Sequence, residues 1–495
     1  MMVERQQHPN ILLLMPDQLR ADFVGCYGAD FARTPNLDRL AAEGTRYTDT
    51  ISPHPLCIPA RASLLTGHNA VSTGVITNGN WLRPDHAACG MPTIAEVLTE
   101  VGYVTAAIGK MHFMPWDIAE GFQFRRIAED KRHVFIEDDY ADFLAEHGFA
   151  KPFGPEEAGY AENLMASIST LPPELQVDNW VKDEAVAFLR KQTGKSEPFI
   201  AMIGFPGPHD PYNPPEKWIQ GWDPTSMPAT HLATEVTEVF RKGQIAQNRK
   251  GSAAIDMEEF PDHVKQRIRL HYSVLTQNID GCIGEILQAL DANGLADNTV
   301  VIATSDHGDL LGDFDLLGKN NFLEPSIRIP LIIRDAAQIV PAVEDRLATL
   351  TDVFATIAGI AGAEISGRGD SYPLPGLDLP LTGQRRVAMG VIGSGMMITD
   401  GHHKLARYKN EVATLHDITL DPMEQHDLIE DLNSAHIRDR LDASLTKEIL
   451  DALADGHIEK SYEYATMTPT HPSHKRDWTR PYPVGAQQKK EIQPL

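Results

Sequence analysis

The apolar residues of the chain follow two spacings that recur in turn. Short continuous apolar runs predict buried strands, and stretches with apolar residues every three or four positions predict helices. Strands that alternate with helices predict an α/β fold, with a mostly parallel central sheet covered by helices on both faces. The strand-like runs are 8–18, 103–110, 198–205, 298–308 and 328–334, and the helix-like stretches are 34–44, 91–102, 181–192 and 262–294.

The pattern changes after about residue 382. Short strand-like pieces are followed by one helix-like stretch, which predicts a smaller C-terminal α+β unit with an antiparallel sheet. We therefore predict three parts: an α/β domain over 1–382, an α+β subdomain over 383–461 and an extended tail over 462–495. The strand-like pieces are 385–392, 395–401, 402–408 and 413–418, and the helix-like stretch is 434–454.

Two segments, 148–173 and 206–262, are rich in proline, glycine and polar residues and lack clear periodicity. They predict long loops, which commonly shape a binding site. We find no internal repeat and no low-complexity tract.

The charge of the chain limits its partners. With 44 Lys and Arg against 69 Asp and Glu, the formal net charge is −25, which disfavours nucleic acid and anionic membranes. An anionic substrate therefore requires a local cluster of cations. The polar residues 1–10 precede an apolar run too short for a signal peptide or a membrane span, so we predict a cytoplasmic protein.

Polar residues follow four of the predicted strands. Because the carboxyl ends of parallel strands meet at one edge of a sheet, we expect these residues to share a cleft. The four cysteines are too widely spaced for a disulfide framework or a zinc ribbon, which leaves any special chemistry to a single cysteine. The four clusters are Asp17 with Gln18, Lys110 with His112, His209 with Asp210, and Asp306 with His307; we expect Cys57, Arg61 and Lys319 nearby.

The clustered residue types predict a metal and a tetrahedral anion. Asp17, Asp306 and His307 offer hard and borderline ligands whose convergence needs a cation. Carboxylate and amide oxygens favour Ca²⁺ or Mg²⁺, whereas a histidine nitrogen favours Mn²⁺ or Zn²⁺, so the metal stays open. The cations that could hold the anion are Arg61, Lys110, His112, His209 and Lys319.

The stretch CIPARASLLTG, 57–67, narrows the prediction from a general metal and anion site to one family of enzymes. Cys57, Pro59 and Arg61, followed by Thr66 and Gly67, resemble the signature of the sulfatases, a family of the alkaline phosphatase superfamily. The resemblance implies an alkaline-phosphatase-like fold for the central sheet. It extends over most of the chain, through 9–18, 109–113, 207–212, 304–333 and 413–431.

The resemblance also implies a mechanism. A maturation enzyme would oxidise Cys57 to formylglycine, and the hydrate of that aldehyde would attack sulfur. One divalent metal, Ca²⁺ or Mn²⁺, would be held by residue 57 and three further ligands. The resemblance implies Asp17, Asp306 and His307 as metal ligands, Arg61 as the group that orients the hydrate, and Lys110 beside the metal and a sulfate oxygen. It implies His112 as the base, His209 and Lys319 as the groups that hold the sulfate and act on the leaving oxygen, Gln18 as a metal ligand or substrate contact, and Asn78 as a substrate contact.

Two positions depart from the commonest sulfatase pattern: Gln18 stands where Asp is usual, and His307 where Asn is usual. Both resemble the phosphonate monoester hydrolases and the choline sulfatases. Lys110 and His112 instead resemble sulfatases, because the phosphonate branch has Tyr and Thr there. We therefore predict a sulfuric ester hydrolase, similar to arylsulfatases, that releases inorganic sulfate from small sulfate esters.

Several alternatives stay open at this point. The chain could be a phosphonate monoester or phosphodiester hydrolase, a choline sulfatase, or a binding protein in which Cys57 stays a thiol. Trp81, Phe113, Trp116 and Tyr212 could line an aromatic pocket or belong to ordinary packing. The tail suggests a homo-oligomer.

Overall fold

The computed structural model describes residues 8–248, 255–335, 341–365, 369–377, 379, 383, 385–409 and 411–458. The predicted tail, 462–495, lies outside these residues. The strands are β1 Asn10–Asp17, β2 Thr45–Tyr47, β3 Thr50–Ile51, β4 Val104–Gly109, β5 Phe124–Ile127, β6 Phe199–Pro208, β7 Thr299–Thr304, β8 Leu331–Asp335, β9 Ala342–Glu344, β10 Ala348–Thr349, β11 Ala388–Ile392, β12 Gly395–Thr399, β13 His403–Tyr408 and β14 Ala413–Asp417. The helices are α1 Pro35–Ala42, α2 Cys57–Thr66, α3 Ala70–Thr73, α4 Ile94–Glu100, α5 Asp139–Glu146, α6 Val177–Gln192, α7 Glu216–Ile219, α8 Glu235–Asn248, α9 Asp262–Ala292, α10 Glu324–Ile327, α11 Asp352–Ala361 and α12 Ala435–Ile458.

The central sheet has the strand order β5-β4-β6-β1-β7-β8-β2-β9. Strands β5, β4, β6, β1 and β7 are mutually parallel, whereas β8 is antiparallel to β7 and to β2. The prediction of a mostly parallel sheet is therefore confirmed. The four strands whose ends carry the predicted clusters, β4, β6, β1 and β7, are immediate neighbours.

Strand β1 shows why the sheet is covered on both faces. Every residue from Asn10 to Asp17 is buried. Ile11 and Leu13 pack into one hydrophobic cluster with residues of α2, α4 and α11, whereas Leu12 and Leu14 pack into another with residues of α1, α6 and α9. Because successive side chains of a strand point to opposite faces, an apolar run without alternation requires two such layers.

The C-terminal unit is an antiparallel sheet, β11-β12-β13-β14, as predicted. Helix α12 covers one face of this sheet through Leu441 and Leu445, which share a buried cluster with Leu405 of β13. On β13, Lys404 is buried and contacts Glu324 of α10 at 2.7 Å, which ties this sheet to the central domain. The boundary near residue 382 stays a prediction.

One predicted loop contains a helix. Within the segment 206–262, the structure has helix α8. The sequence signal is weak because the stretch is mostly polar and Gly243 interrupts its apolar positions. The helix is held by tertiary contact instead, since Phe240 packs on Tyr408 with ring centroids 4.9 Å apart. None of the helices in the described ranges combines the length and the apolar character needed to cross a bilayer.

We expect the variant Gly204→Ala to lose about 2 kcal/mol of unfolding free energy. A Cβ at Gly204 would lie 2.1 Å from the carbonyl oxygen of Lys110, so β4 and β6 would have to separate near the cleft. Urea denaturation of the purified protein measures the loss. Gly281→Ala is the matched control, because its Cβ would enter open space on α9, and we expect unchanged or higher stability. Equal unfolding free energies for the two variants would contradict this account.

Candidate active site

The predicted residues converge at the carboxyl edge of the central sheet. Asp17 ends β1, Lys110 follows β4 directly, and His209 follows β6 directly. Asp306 and His307 follow β7 after one intervening residue. Each of these side chains is almost completely buried.

Helix α2 brings Cys57 to the same edge. Cys57 is the first residue of the helix, and every residue of the helix is buried. The Oδ1 atom of Asn78 accepts a hydrogen bond from the backbone N–H of Ile58 at 3.2 Å, and Gly67 ends the helix in the left-handed conformation. The positive end of the helix dipole therefore faces residue 57.

Four side chains form a group with the spacing of a metal site. Ligand atoms of Asp17, Cys57, Asp306 and His307 all lie within 4.8 Å of one another. His307 Nε2 is 3.2 Å from Cys57 Sγ, while its Nδ1 is 3.0 Å from the carbonyl oxygen of Gly308. That carbonyl fixes the Nδ1–H tautomer, which leaves the lone pair on Nε2 for a metal.

The electrostatics of this group fit a divalent cation. Burial and then the charge of Asp17 raise the pKa of Asp306, because two buried carboxylates repel each other. A cation between them removes this cost. Two carboxylates and one imidazole are ligands that suit Mn²⁺, and Ca²⁺ with further oxygen ligands. The residues present therefore fit the metal that the sequence predicts, without deciding which metal it is.

Arg61 holds the two carboxylates in place. Its Nη2 donates to Asp17 Oδ2 at 2.8 Å, its Nε to Asp306 Oδ2 at 3.1 Å, and its Nη1 to the carbonyl oxygen of Lys110 at 2.6 Å. The guanidinium is fully buried. Its contacts join β1, β4 and β7 to the second turn of α2.

Lys110 bridges two acids, one of which the sequence reasoning missed. Its Nζ lies 2.8 Å from Asp17 Oδ2, 2.7 Å from Asp130 Oδ2 and 4.0 Å from Cys57 Sγ. Burial opposes the ionisation of Asp130, but Arg132 and Lys110 outweigh it and hold its pKa well below the usual value. Asp130 lies three residues after the short edge strand β5, which contains two arginines and no apolar run, so a search at the ends of predicted strands did not reach it.

His112 lies on the other side of Lys110. Burial and then the charge of Lys110 lower the pKa of His112 to about 4, so the ring is neutral at neutral pH. Cys57 is a side-chain partner of the ring, and Nδ1 has no hydrogen-bond partner among the described residues, so we assign Nε2 as the atom on the side of the sulfur. The backbone N–H of His112 donates to Glu129 Oε1 at 2.9 Å, and this glutamate was also missed.

The surroundings of Cys57 favour an anion there. Burial alone would raise the pKa of the thiol. Lys110, Lys319 and His307 reverse this effect and bring the pKa well below its usual value. The cleft therefore has the local positive charge that the net charge of the chain lacks.

His209 and Lys319 form a pair on the opposite side of the cleft. His209 Nε2 is 2.6 Å from Lys319 Nζ and 3.1 Å from Arg132 Nη2, and both neighbours can only donate. Nε2 must therefore accept, and Nδ1 donates to the carbonyl oxygen of Asp210 at 2.8 Å. Within this pair Lys319 donates and His209 accepts.

Gln18 connects Lys319 to an acid that was also missed. Its side-chain oxygen accepts from Lys319 Nζ, and its amide nitrogen donates to Asp309. The backbone N–H of Gln18 donates to Asp306 Oδ1 at 2.9 Å. Asp309 also accepts from the hydroxyl of Tyr212.

The site opens into a cavity of about 690 Å³. Three of its lining residues, Asn78, Lys319 and Asp210, belong to the predicted clusters or contacts. The four aromatic candidates are absent from the lining, because Phe113 and Tyr212 are buried and Trp81 and Trp116 pack against the core. The other charged or aromatic lining residues are Lys131, Arg132, Phe153, Tyr160, Phe240, Tyr408 and Lys409.

Fold and site together define a hydrolase of the alkaline phosphatase superfamily. The family model described as Sulfatase matches residues 9–363. The chain belongs to the sulfatase family, whose members hydrolyse sulfuric esters. The family, the fold and the enzyme class predicted from the sequence are confirmed.

Known proteins show the same relationship. The chain is 28% identical to an arylsulfatase of Clostridium perfringens, over 93% of this chain and 99% of the relative. It is 30% identical to a choline-sulfatase of Rhizobium meliloti, over 72% of this chain and 68% of the relative. The solved phosphonate monoester hydrolase of Agrobacterium radiobacter has the same fold, with a TM-score of 0.75 and 23% identity over 90% of this chain and 96% of that one.

We expect Asp130→Asn to lose about 3 kcal/mol of unfolding free energy at pH 7, because it removes one partner of a buried ion pair. The pKa of Asp130 is depressed in the folded state. Its contribution is therefore complete above the unfolded-state pKa of about 4 and declines as the pH falls toward the folded-state pKa. Denaturation at several pH values should show a difference from the unmodified protein that shrinks below about pH 4.

The exposed Asp291→Asn on α9 is the control for this substitution. It should leave the unfolding free energy within about 0.5 kcal/mol of the unmodified protein. A difference for Asp130→Asn that stays constant down to pH 2 would contradict the assignment of the ion pair.

Proposed function

We propose that this protein hydrolyses sulfate monoesters of phenols or small alcohols, with formylglycine at position 57 and one divalent metal. The observation that carries the proposal is the surroundings of Cys57 Sγ, with His307 Nε2 at 3.2 Å, Asp17 Oδ1 at 3.9 Å and Lys110 Nζ at 4.0 Å. An ordinary buried cysteine is surrounded by apolar groups. Acids, cations and an imidazole around one sulfur suit a reacting centre instead.

Two groups outside the unmodified sequence complete this chemistry. Formylglycine would supply an oxygen nucleophile with a second hydroxyl on the same carbon, so water need not attack sulfur in a second step. The metal held by Asp17, Asp306 and His307 would supply a Lewis acid beside residue 57. The side chains of the cleft orient the groups, transfer protons and stabilise the developing charge.

The residues nearest to position 57 orient the nucleophile and move its proton. Arg61 fixes Asp17 and Asp306, so the acids keep their positions when the charge of the cleft changes. His112 is neutral and presents Nε2 to position 57, where it accepts a proton. Lys110 stabilises the negative charge that develops on the sulfate oxygens.

The residues on the far side act on the leaving group. Lys319 carries the proton that the leaving oxygen needs, and His209 accepts from Lys319 and orients it. Gln18 fixes Lys319 from the other direction. Asn78 holds the first turn of α2 and lines the cavity, so it contributes to both nucleophile and substrate.

The charge of the cavity favours neutral or anionic leaving groups. Lys131, Arg132, Lys319 and Lys409 line it, with Asp210 as the one acid among the lining residues that the structure describes. A quaternary ammonium group would be repelled there. Although choline-sulfatase is among the relatives, we therefore propose aryl sulfates or other small sulfate esters ahead of choline sulfate.

Phosphonate monoesters and phosphodiesters are the second candidate substrates. Gln18 and His307 are the residues that motivate this choice, since the phosphonate branch of the superfamily resembles this chain at both positions. Both ester classes present a tetrahedral anion of similar size to the same cations. We propose that they are secondary substrates. The cytoplasmic location, the maturation enzyme and the homo-oligomer stay predictions from the sequence.

The function is tested by assaying a panel of substrates with the unmodified protein and with two variants, Cys57→Ala and Cys26→Ala. We expect the protein from its native host to cleave 4-nitrophenyl sulfate faster than a 4-nitrophenyl phosphonate monoester, a phosphodiester or choline sulfate. Cys57→Ala should abolish all these activities. Cys26→Ala, which changes a half-buried cysteine of the core, should retain them. Mass spectrometry of the peptide containing residue 57 should find the aldehyde.

Two results would contradict the proposal. Rapid phosphonate cleavage with negligible sulfate cleavage would make the second candidate the main function. An intact, alkylatable thiol at Cys57 in all active molecules would exclude the formylglycine mechanism.

His112→Gln tests the base. We expect kcat for the sulfate ester to fall on the order of 10²–10⁴-fold, because the Gln side chain cannot accept the proton. Exposed His147→Gln on α5 is the control and should leave kcat unchanged. Equal kcat values for the two variants would remove His112 from the proposed mechanism.

A further inference from the structure

A second group of potential metal ligands lies beside the base. Ligand atoms of His112, Glu129 and His133 lie within 4.8 Å of one another. Across the residues that the structure describes, this group and the one around Cys57 are the two clusters of this kind. The proposed function uses His112 Nε2 and leaves Glu129 and His133 without a role.

The three side chains share one property: each has a buried polar atom without a hydrogen-bond partner among the described residues. These atoms are Nδ1 of His112, Oε2 of Glu129 and Nδ1 of His133. Glu129 and His112 are 2% and 4% exposed, respectively. A buried polar atom without a partner is costly, and most such atoms in proteins are paired. Three of them in one place indicate a ligand that binds all three.

Backbone hydrogen bonds and one ring contact hold these three side chains in place. Glu129 Oε1 accepts from the N–H of His112 at 2.9 Å, which leaves Oε2 for another partner. The N–H of His133 donates to the carbonyl oxygen of Asp130 at 2.8 Å, which closes a turn after β5. The rings of His112 and His133 meet edge to face, with centroids 5.3 Å apart. His133 is half-buried, so it gives a route from solvent.

The chemistry of the three atoms selects the cation. Two imidazole nitrogens and one carboxylate oxygen form a donor set that zinc sites use, whereas Ca²⁺ and Mg²⁺ prefer oxygen ligands. Lys110 opposes a cation here, but Asp17 and Asp130 already neutralise much of its charge.

We propose that His112, Glu129 and His133 bind a zinc ion, and that zinc bound there inhibits the enzyme. A zinc ion on Nδ1 of His112 leaves the ring proton on Nε2, so Nε2 has no lone pair with which to accept a proton from position 57. Zinc binding rests on the geometry of the three residues alone. Inhibition also rests on the proposed function of His112.

Zinc binding is tested by counting bound metal. The full-length protein and its variants are dialysed against Zn²⁺ and then against metal-free buffer. The zinc bound per chain is then measured by elemental mass spectrometry. We expect His133→Gln and Glu129→Gln to bind one zinc fewer per chain than the unmodified protein and than the control His147→Gln. Zinc should also raise the Tm of the unmodified protein more than that of His133→Gln. Equal counts and equal Tm shifts in all four proteins would overturn the site.

Inhibition is tested with the same proteins on 4-nitrophenyl sulfate. The rate of each protein with zinc is compared with its own rate without zinc. We expect a loss of about a hundredfold in the unmodified protein and in His147→Gln, and a much smaller loss in His133→Gln. An equal loss in all three would assign inhibition to the ligands around Cys57 and would overturn the inference. If no sulfate ester is cleaved at all, the proposed function fails, while the metal counts still decide whether the site exists.

Discussion

The bonds from Arg61 to Asp17 and Asp306 are the constraint on which the cleft depends. Strands β1 and β7 are adjacent and parallel, so both acids reach the same buried edge of the sheet. Arg61 comes from the second turn of α2, and its bonds fix that helix over the strand ends. Removing one partner of a buried pair costs about 3–5 kcal/mol, so the placement of Cys57 is tied to the stability of the sheet edge.

The cleft has a charge opposite to that of the molecule. The chain has a net charge of −25, yet the described residues that line the cavity include four cations and one acid. At physiological ionic strength, charges farther apart than about 8 Å are largely screened, so an anion in the cleft senses the nearby cations more than the distant acids. The net charge of the chain therefore has little effect inside the cleft, where the local charge favours an anion.

The sequence predicted most of the fold and of the cleft because both depend on short patterns. Apolar runs in the sequence predicted β1, β4, β6 and β7. The polar residues at the ends of these runs were the candidate site residues. Asp130 and Glu129 were not predicted because the strand before them, β5, is short and contains two arginines. Its sequence therefore has no apolar run. Helix α8 was not predicted because tertiary contacts hold it, such as Phe240 on Tyr408 and Gln244 on Leu317, and these contacts join residues that are far apart in the sequence.

Asp309 was not predicted for a different reason, and its contacts also explain why a glutamine stands at position 18. An acid two residues after His307 has no distinctive pattern, and only the structure shows that Gln18 and Tyr212 both donate to it. An amide can donate to Asp309 with its nitrogen and accept from Lys319 with its oxygen. An ionised Asp at position 18 could accept from Lys319 but could not donate, and it would repel Asp309. Gln18 and Asp309 therefore belong together, and at this departure from the usual sulfatase pattern the Gln18 amide holds the Lys319 side chain in position.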